Sequence, residues 1–134
     1  MFFDSQKLKT DLMTVIAKSV DGGLSIGADE VEVAVARDQG LEVSVRRGSI
    51  EKLELSNDFS LSVSLLFGKR KGSVSSTNFD DRSIKTLLAK AKDLSLLLQE
   101  DPHYGLAPGE LSPQKIIEMD LDYPWITEPG DAVE

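Results

Sequence analysis

The chain opens with hydrophobic residues at helical spacing. Apolar positions recur three or four residues apart and fall on one face of this segment: Leu8, Leu12, Val15, Ile16 and Val20. Asp4 or Ser5 can cap the first turn, and Gly22-Gly23 is typical of a helix end. The pattern therefore predicts an amphipathic helix that begins near residue 5 and ends near residue 22.

After this helix the period changes to two, which is typical of half-buried strands. Five strands are predicted, at residues 31–36, 41–46, 50–55, 59–67 and 73–77. The turns predicted between them lie at residues 38–40, 47–48, 57–58 and 68–72, where Gly, Asn and Asp are concentrated. In the third strand the parity shifts after Ile50, and an extra residue near Glu51-Lys52, forming a β-bulge, would account for the shift.

A second helix follows the strands. Asn78 or Asp80 can cap it, and the segment stops before Pro102; its apolar stripe comprises Ile84, Leu87, Leu88, Ala91, Leu94 and Leu98. Each connection between strands is too short for a crossover helix, so neighbouring strands should pair antiparallel. The sequence therefore predicts an α+β fold, in which an antiparallel five-stranded meander sheet carries both helices on one face.

The last quarter of the chain differs in character. All five prolines lie within residues 102–134, and residues 120–134 hold five acids and no Lys or Arg. We therefore expect an α+β domain over residues 1–101 and a Pro-rich, acidic linker over 102–134 that leads to a further domain. Trp125 either packs back on the domain or anchors a missing part, and Glu134 is not expected to be a natural end.

Composition narrows the classes of function. The net charge of −8 and the pI near 4.6 argue against a surface that binds DNA or RNA. The chain has no cysteine, no amino-terminal segment typical of a signal peptide, and no apolar run long enough to span a bilayer. We expect a cytoplasmic protein with neither a membrane nor a nucleic acid as direct partner.

The sequence offers few residues that could act in catalysis or bind a metal ion. His103 is the only histidine and lies in a polar segment between two prolines, so neither a zinc site nor a Ser-His-Asp arrangement can be assembled around it. Glu42 and Glu54 occupy outward-facing positions on predicted strands, so a structural role accounts for them. Asp80 and Asp81 lie at a helix start, where the helix dipole favours acidic side chains. No catalytic or metal-binding residue is therefore assigned in this chain.

Two neighbouring stretches are candidates for contact with other molecules. Residues 68–73 resemble a phosphate-binding loop but lack its Gly-Lys-Ser/Thr ending and join two strands, so they are either a solvated loop or a contact for an acidic partner. The polar run that follows is either a plain strand or an edge strand that receives an extended peptide. The candidate partner- or peptide-contact residues are Lys69, Arg70, Lys71, Ser73, Ser75 and Thr77.

Another row of short polar side chains lies on the most regular strand. Ser60, Ser62 and Ser64 alternate with apolar residues, so they share the face opposite to the core. This face is either solvated or covered by another domain or chain.

Several stretches, taken in order, carry a resemblance to a known family: residues 27–33, 48–54, 68–77, 100–107 and 120–125. They are similar to the amino-terminal domain of the PmbA/TldE family, relatives of TldD that have also been called modulators of DNA gyrase. Residues 68–73, Gly-Lys-Arg-Lys-Gly-Ser, look more like the PmbA/TldE branch than TldD.

The resemblance implies a much longer protein and a heteromeric metallopeptidase that acts on small or unfolded peptides. In that family the zinc-binding motif lies in the TldD-like catalytic subunit, so zinc is expected there and no cofactor is expected in this chain. The chain would then be a non-catalytic domain that contributes to partner contact and peptide access. The alternative is a free-standing protein- or peptide-binding module that uses an edge strand.

Overall fold

A computed structural model of the chain describes residues 5–121, with side-chain environments from residue 9 onward. The elements are helix α1 (Ser5–Ser25), strands β1 (Glu30–Arg46), β2 (Ser49–Phe67) and β3 (Arg70–Ser76), helix α2 (Asp81–Leu97) and a short 3-10 helix (Gly109–Leu111). None of the helices within residues 5–121 is long and apolar enough to cross a membrane. The predicted cap at Asp4 and the roles considered for Trp125 lie outside the described residues.

The sheet is antiparallel and continuous, with strand order β1-β2-β3. The α+β class is confirmed, but the prediction of five strands is wrong, because the turns predicted at residues 38–40 and 57–58 lie inside β1 and β2. These two interruptions face each other across one long hairpin: the Oγ of Ser56 lies 3.5 Å from the carbonyl oxygen of Gly40. Residues that favour turns can remain hydrogen-bonded in the sheet when the residues opposite them are also polar, because neither strand then has to bury a side chain at that point.

The turn between β1 and β2 has the geometry of a tight hairpin. Arg47 and Gly48 both have positive φ angles, 52° and 77°, as a two-residue turn of type I′ requires. The turn predicted at Arg47-Gly48 is therefore confirmed. The next turn is shorter than predicted, since it occupies Gly68-Lys69 alone and β3 already begins at Arg70.

Contacts between Cα atoms divide the described chain into two compact units. The first, called here the core unit, comprises residues 5–37 and 58–106 and contains both helices and β3. The second comprises residues 38–57, called here the turn-side hairpin, together with residues 107–121.

The core unit is built on one apolar face of the sheet. Leu61, Val63 and Leu65 of β2 are fully buried, and they cluster with α2 residues Ile84, Leu87, Leu88 and Ala91. Val31, Val33 and Val35 of β1, and Val15 of α1, pack against the same cluster. Both helices thus cover the same side of the sheet, which removes a large apolar area from water.

Helix α1 continues through the glycines that were predicted to end it. An added Cβ at Gly22 would lie 2.6 Å from Cδ1 of Leu88, and one at Gly23 would lie 2.8 Å from Val31. The two glycines therefore let α1 approach both α2 and the sheet closely, and the helix ends only at Ser25. The prediction of a helix end was wrong because a glycine pair can serve close packing as well as termination.

Helix α2 lies directly on the edge strand β3. A Cβ at Gly72 would lie 2.0 Å from the carbonyl oxygen of Ala91 and 2.7 Å from the backbone nitrogen of Ser95. Ala91 and Ser95 are fully buried, whereas Leu94 and Leu98 of the predicted stripe are partly exposed. The stripe is confirmed as far as Ala91, and beyond it the small side chain of Ser95 takes the packing position.

We expect Gly72→Ala to destabilise the protein strongly. The new methyl group would overlap backbone atoms of α2, which cannot move aside as a side chain can, so a loss of about 1–3 kcal/mol or more is expected. Urea unfolding followed by circular dichroism measures it. The control, Gly109→Ala, meets no atom within 4 Å and should stay within about 0.5 kcal/mol of the parent. Equal stability of both variants would contradict the packing described here.

The amino end of α2 is capped by Asp80, one of the two predicted caps. Its Oδ1 accepts a hydrogen bond from the backbone N–H of Ser83 (2.9 Å), and its Oδ2 accepts one from the Ser83 hydroxyl (2.8 Å). These hydrogen bonds hold the pKa of the Asp80 carboxyl below its ordinary value of 3.8, with the backbone N–H as the larger cause. A carboxyl of this kind stabilises the fold above its unfolded-state pKa, and the contribution is lost as pH falls through the lower folded-state pKa.

We expect Asp80→Asn to reduce the loss of stability in acid. Asparagine still caps a helix but does not titrate, so the fall in urea midpoint between about pH 5 and pH 2 should be smaller in the variant. Asp93→Asn, an exposed substitution on the same helix, is the control and should leave the fall unchanged. An unchanged acid profile in Asp80→Asn would show that the cap does not titrate as described.

Candidate functional site

The three predicted contact cations lie at the start of β3, and each has a partner within the core unit. The Nζ of Lys69 donates to the carbonyl oxygen of Tyr104 (2.8 Å). An Nη of Arg70 lies 3.5 Å from a carboxylate oxygen of Glu100. Since these groups are already engaged, an acidic partner would have to compete with intramolecular contacts, and the contact role of the cations stays a prediction.

The ion pair of Lys71 joins β3 to β1. Its Nζ lies 3.2 Å from a carboxylate oxygen of Glu32 on β1. Because β2 lies between β1 and β3, this ion pair spans β2, where Leu66 is the residue opposite Lys71. Leu66 is 2% exposed, and the aliphatic stem of Lys71 helps to explain its burial on the side away from the helices.

The serine row on that side meets a second row across the strands. Ser64 pairs with Ser73 and Ser62 pairs with Ser75, and the hydroxyl oxygens of Ser64 and Ser73 are 2.8 Å apart. Ser64 is buried, whereas Ser73 and Ser75 are exposed. Thr77 follows the end of β3 and is also exposed. The structure thus brings Ser73 and Ser75 together on one face, while Lys69 and Thr77 flank the strand.

The segment after α2 is tied to the core unit, which sequence reasoning missed. Residues 101–106, called here the clasp segment, are held by three hydrogen bonds. The backbone N–H of Asp101 donates to the carbonyl oxygen of Lys69 (2.9 Å), and that of Leu106 donates to a carboxylate oxygen of Glu30 (2.7 Å). Lys69 and Glu30 therefore hold the first residues of the stretch predicted to be a linker.

His103 lies inside the clasp segment and is exposed. Its backbone N–H donates to a carboxylate oxygen of Asp101 (2.9 Å), which closes a local turn. Across residues 5–121, no three His, Cys, Asp or Glu side chains are grouped so that they could hold a metal ion.

Acidic residues of the turn-side hairpin form ion pairs. The Nζ of Lys52 lies 2.9 Å from Glu42 and 2.8 Å from Glu54, and these carboxylates raise the pKa of the Lys52 ammonium, Glu54 having the larger effect. A shallow cavity of about 190 Å³ lies beside them, lined by Gly40, Leu41, Glu42, Glu54 and Ser56. Both acids share one cation, so the geometry favours the structural role that the sequence indicated for them.

Two solved structures share this arrangement of helices and strands. They are TldE from Thermococcus kodakarensis (TM-score 0.69, 20% identity) and a putative modulator of DNA gyrase from Bacteroides thetaiotaomicron (TM-score 0.72, 19% identity). They cover 87% and 88% of this chain, which in turn covers 26% and 25% of theirs. The fold is thus that of a domain found within larger proteins.

Sequence comparisons place the chain within a class of proteins. Residues 31–95 match the family model described as PmbA/TldA metallopeptidase domain 1. Metalloprotease PmbA of Escherichia coli O157:H7 is 31% identical over 123 residues, which are 90% of this chain and 27% of that protein. A PmbA homolog of Haemophilus influenzae is 32% identical over 101 residues, 75% of this chain and 22% of that protein.

The class that these matches indicate is the first domain of metallopeptidases of the PmbA/TldD type. The chain belongs to the PmbA/TldE family and corresponds to its amino-terminal domain. It spans about a quarter of the length of the relatives it matches. The resemblance identified from the sequence is therefore confirmed.

We expect Glu30→Ala to release the end of the clasp segment. Without the carboxylate, the N–H of Leu106 loses its acceptor, so its amide hydrogen should exchange with solvent roughly tenfold faster or more. Hydrogen exchange followed by NMR measures this rate. Glu32→Ala, two residues along the same strand, removes the partner of Lys71 instead and serves as the control. Equal exchange at Leu106 in both variants would contradict the clasp contact.

Proposed function

We propose that the chain acts as a non-catalytic amino-terminal domain of a PmbA/TldE-type subunit in a heteromeric zinc metallopeptidase that processes small or unfolded peptides. In this role it contributes to contact with a TldD-like catalytic subunit and to peptide access. The observation that carries the proposal is the family match over residues 31–95, which include β2, β3 and most of β1 and α2. Similar proteins of Escherichia coli and Haemophilus influenzae are named metalloproteases.

The residue content of the chain agrees with a zinc site that lies outside this domain. Zinc sites that cleave peptides use two or more His or Glu ligands held at fixed spacing, usually on one helix. This chain contains one histidine and no cysteine, and His103 is held in an exposed turn by a backbone hydrogen bond. Following the family resemblance, the proposal gives this chain the tasks of contact and access, and gives the TldD-like subunit the metal and the bond cleavage.

The sheet face that carries Ser62, Ser64, Ser73 and Ser75, called here the serine face, is the surface that we propose for contact. Ser73 and Ser75 are short, uncharged and exposed, so another chain can approach the strands there without desolvating a charge. The ion pair of Lys71 with Glu32 lies on the same face, toward the start of β3, and such pairs are typical of a polar rim.

A second candidate function is strand addition at β3. Within the described sheet β3 has β2 as a neighbour on one side only, and an edge strand can receive an extended peptide through backbone hydrogen bonds. In that case the chain would bind peptides without any TldD-like subunit, which separates the two candidates experimentally.

We expect full-length protein carrying this domain to co-purify with a TldD-like subunit, and the pair to cleave unstructured peptides when zinc is present. Ser73→Arg combined with Ser75→Arg should lower cleavage roughly tenfold, equal to about 1.4 kcal/mol, because two bulky charges would enter the contact. The control is Thr86→Arg at an exposed position of α2, which should leave the rate unchanged.

Three results would decide between the candidates. No complex, and cleavage that does not depend on this chain, would overturn the peptidase proposal. Peptide binding by this chain alone, abolished by the Ser73/Ser75 change, would favour strand addition. Cleavage lost equally in Thr86→Arg would show that the serine face has no special role.

A further inference from the structure

Two of the predicted contact cations are paired by a single stretch of chain. Lys69 donates to the carbonyl oxygen of Tyr104 (2.8 Å), and Arg70 lies 3.5 Å from a carboxylate oxygen of Glu100. Both partners lie within residues 100–106, which comprise Glu100 and the clasp segment and are called here the strap. The strap therefore covers two adjacent cations at the β2–β3 turn.

The strap is held mainly by polar contacts at the surface. Within the described chain, the buried cluster of the core unit contains no residue of the strap, and Tyr104 and Leu106 are 40% and 39% exposed. Gly105 passes between two charged groups, since a Cβ added there would lie 3.9 Å from both a carboxylate oxygen of Glu30 and the Nζ of Lys69. A segment held in this way opens locally at a much lower cost than the core unfolds.

The turn beneath the strap has supports of its own. The backbone N–H of Gly68 donates to a carboxylate oxygen of Asp29 (2.6 Å), and the N–H of Asp29 donates to the carbonyl oxygen of Leu66 (2.8 Å). Neither hydrogen bond involves residues 100–106. Opening of the strap therefore leaves the turn in place, with Lys69 and Arg70 already positioned for another ligand.

Arg70 is only partly satisfied by the strap. Its Nε is buried and has no hydrogen-bond partner among the described residues. The 3.5 Å to Glu100 is also longer than the roughly 2.7–2.9 Å of a charge-assisted hydrogen bond. A carboxylate that presents both oxygens to the guanidinium can accept from Nε and an Nη together, which Glu100 does not do.

The strap itself indicates which chemistry replaces it. It presents a backbone carbonyl to the ammonium of Lys69, a backbone N–H to the Lys69 carbonyl, and a carboxylate to Arg70. An acidic peptide offers the same three groups, whereas a free inorganic anion offers neither the N–H nor the carbonyl. The occupant that fits these contacts is therefore a peptide with an acidic side chain.

We propose that the strap is an autoinhibitory contact, which masks Lys69 and Arg70 until it opens and an acidic peptide takes its place. Because the strap and the peptide use the same groups, their binding is mutually exclusive, and each weakens the other. The proposal concerns binding by this chain alone. It rests neither on a TldD-like subunit nor on zinc, so its test is separate from that of the proposed function.

The population of the open strap sets the size of the effect. The apparent affinity for the peptide is the intrinsic affinity reduced by the open fraction. A strap that is open for roughly a tenth of the time weakens binding about tenfold, so a variant that opens it partly should bind roughly fivefold more tightly.

An NMR titration of the full chain with the peptide acetyl-Gly-Glu-Asp-Gly-amide tests the strap. Leu106→Pro removes the N–H that donates to Glu30 without changing any charge, and it should bind roughly fivefold more tightly than the parent, as followed by the backbone amides of residues 68–70. Ala107→Pro, one residue beyond the strap, is the matched control and should bind like the parent. Pro102→Gly, which loosens the strap at an exposed position, should also tighten binding.

Equal affinities in Leu106→Pro, Pro102→Gly and Ala107→Pro would overturn the masking role of the strap. No shift of these amides in any variant would overturn the proposal as a whole. Circular dichroism of each variant verifies that the core unit is folded.

The chemistry of the ligand has its own test in the Leu106→Pro background. Arg70→Lys keeps the charge but loses the planar fork, so binding should weaken roughly tenfold, while Arg82→Lys at an exposed position of α2 should leave it unchanged. The Nε–H resonance of Arg70 should shift on binding. Equal binding of acetyl-Gly-Gln-Asn-Gly-amide, or of inorganic phosphate, would show that an acidic peptide is not what the site selects and would overturn the proposal.

Discussion

The close approach of α2 to β3 at Gly72 is the constraint on which the core unit depends. A single added carbon there would lie 2.0 Å from the carbonyl oxygen of Ala91, so the helix can rest on the strand only because no side chain intervenes. This contact buries Ser95 and brings the end of α2 beside the start of β3. The chain that leaves α2 is then near Arg70, whose guanidinium meets Glu100, and near Lys69, whose carbonyl oxygen accepts from Asp101. Because α2 ends beside the start of β3, the clasp segment begins within hydrogen-bonding distance of Lys69.

Periodicity predicted the helices, and the short connections between strands predicted the antiparallel pairing, because each of these signals is local. The number of strands was wrong because residues 38–40 and 57–58 have turn-forming composition but lie opposite each other in the ladder. Gly40 illustrates this, since it was predicted to be part of a turn but makes a cross-strand contact with Ser56, the residue before the second predicted turn. Pairing between distant residues decides such cases, and a single sequence does not reveal it.

The sequence likewise identified one part of the candidate site and missed another. The sequence identified the exposed polar strand around Ser73 and Ser75, since alternation along a strand is local. It did not identify the partners of the cations, because Glu32 lies two strands away from Lys71 and the carbonyl of Tyr104 has no sequence signature at all. The one available signal was the alternating pair Glu30 and Glu32 at the start of β1, whose outward carboxylates needed cationic or N–H partners.

The two units of the described chain differ in how far they bury their apolar side chains. In the core unit, Leu61, Val63 and Leu65 are covered by helices and are fully buried. In the turn-side hairpin, Leu53 and Leu55 belong to the same strand but remain half exposed or more. An exposed leucine forgoes the free energy that burial of its apolar area provides, so Leu53 and Leu55 contribute less to stability than the three buried residues do. Strand β2 is therefore part of the core at Leu61, Val63 and Leu65, where helices cover the sheet, and is exposed at Leu53 and Leu55.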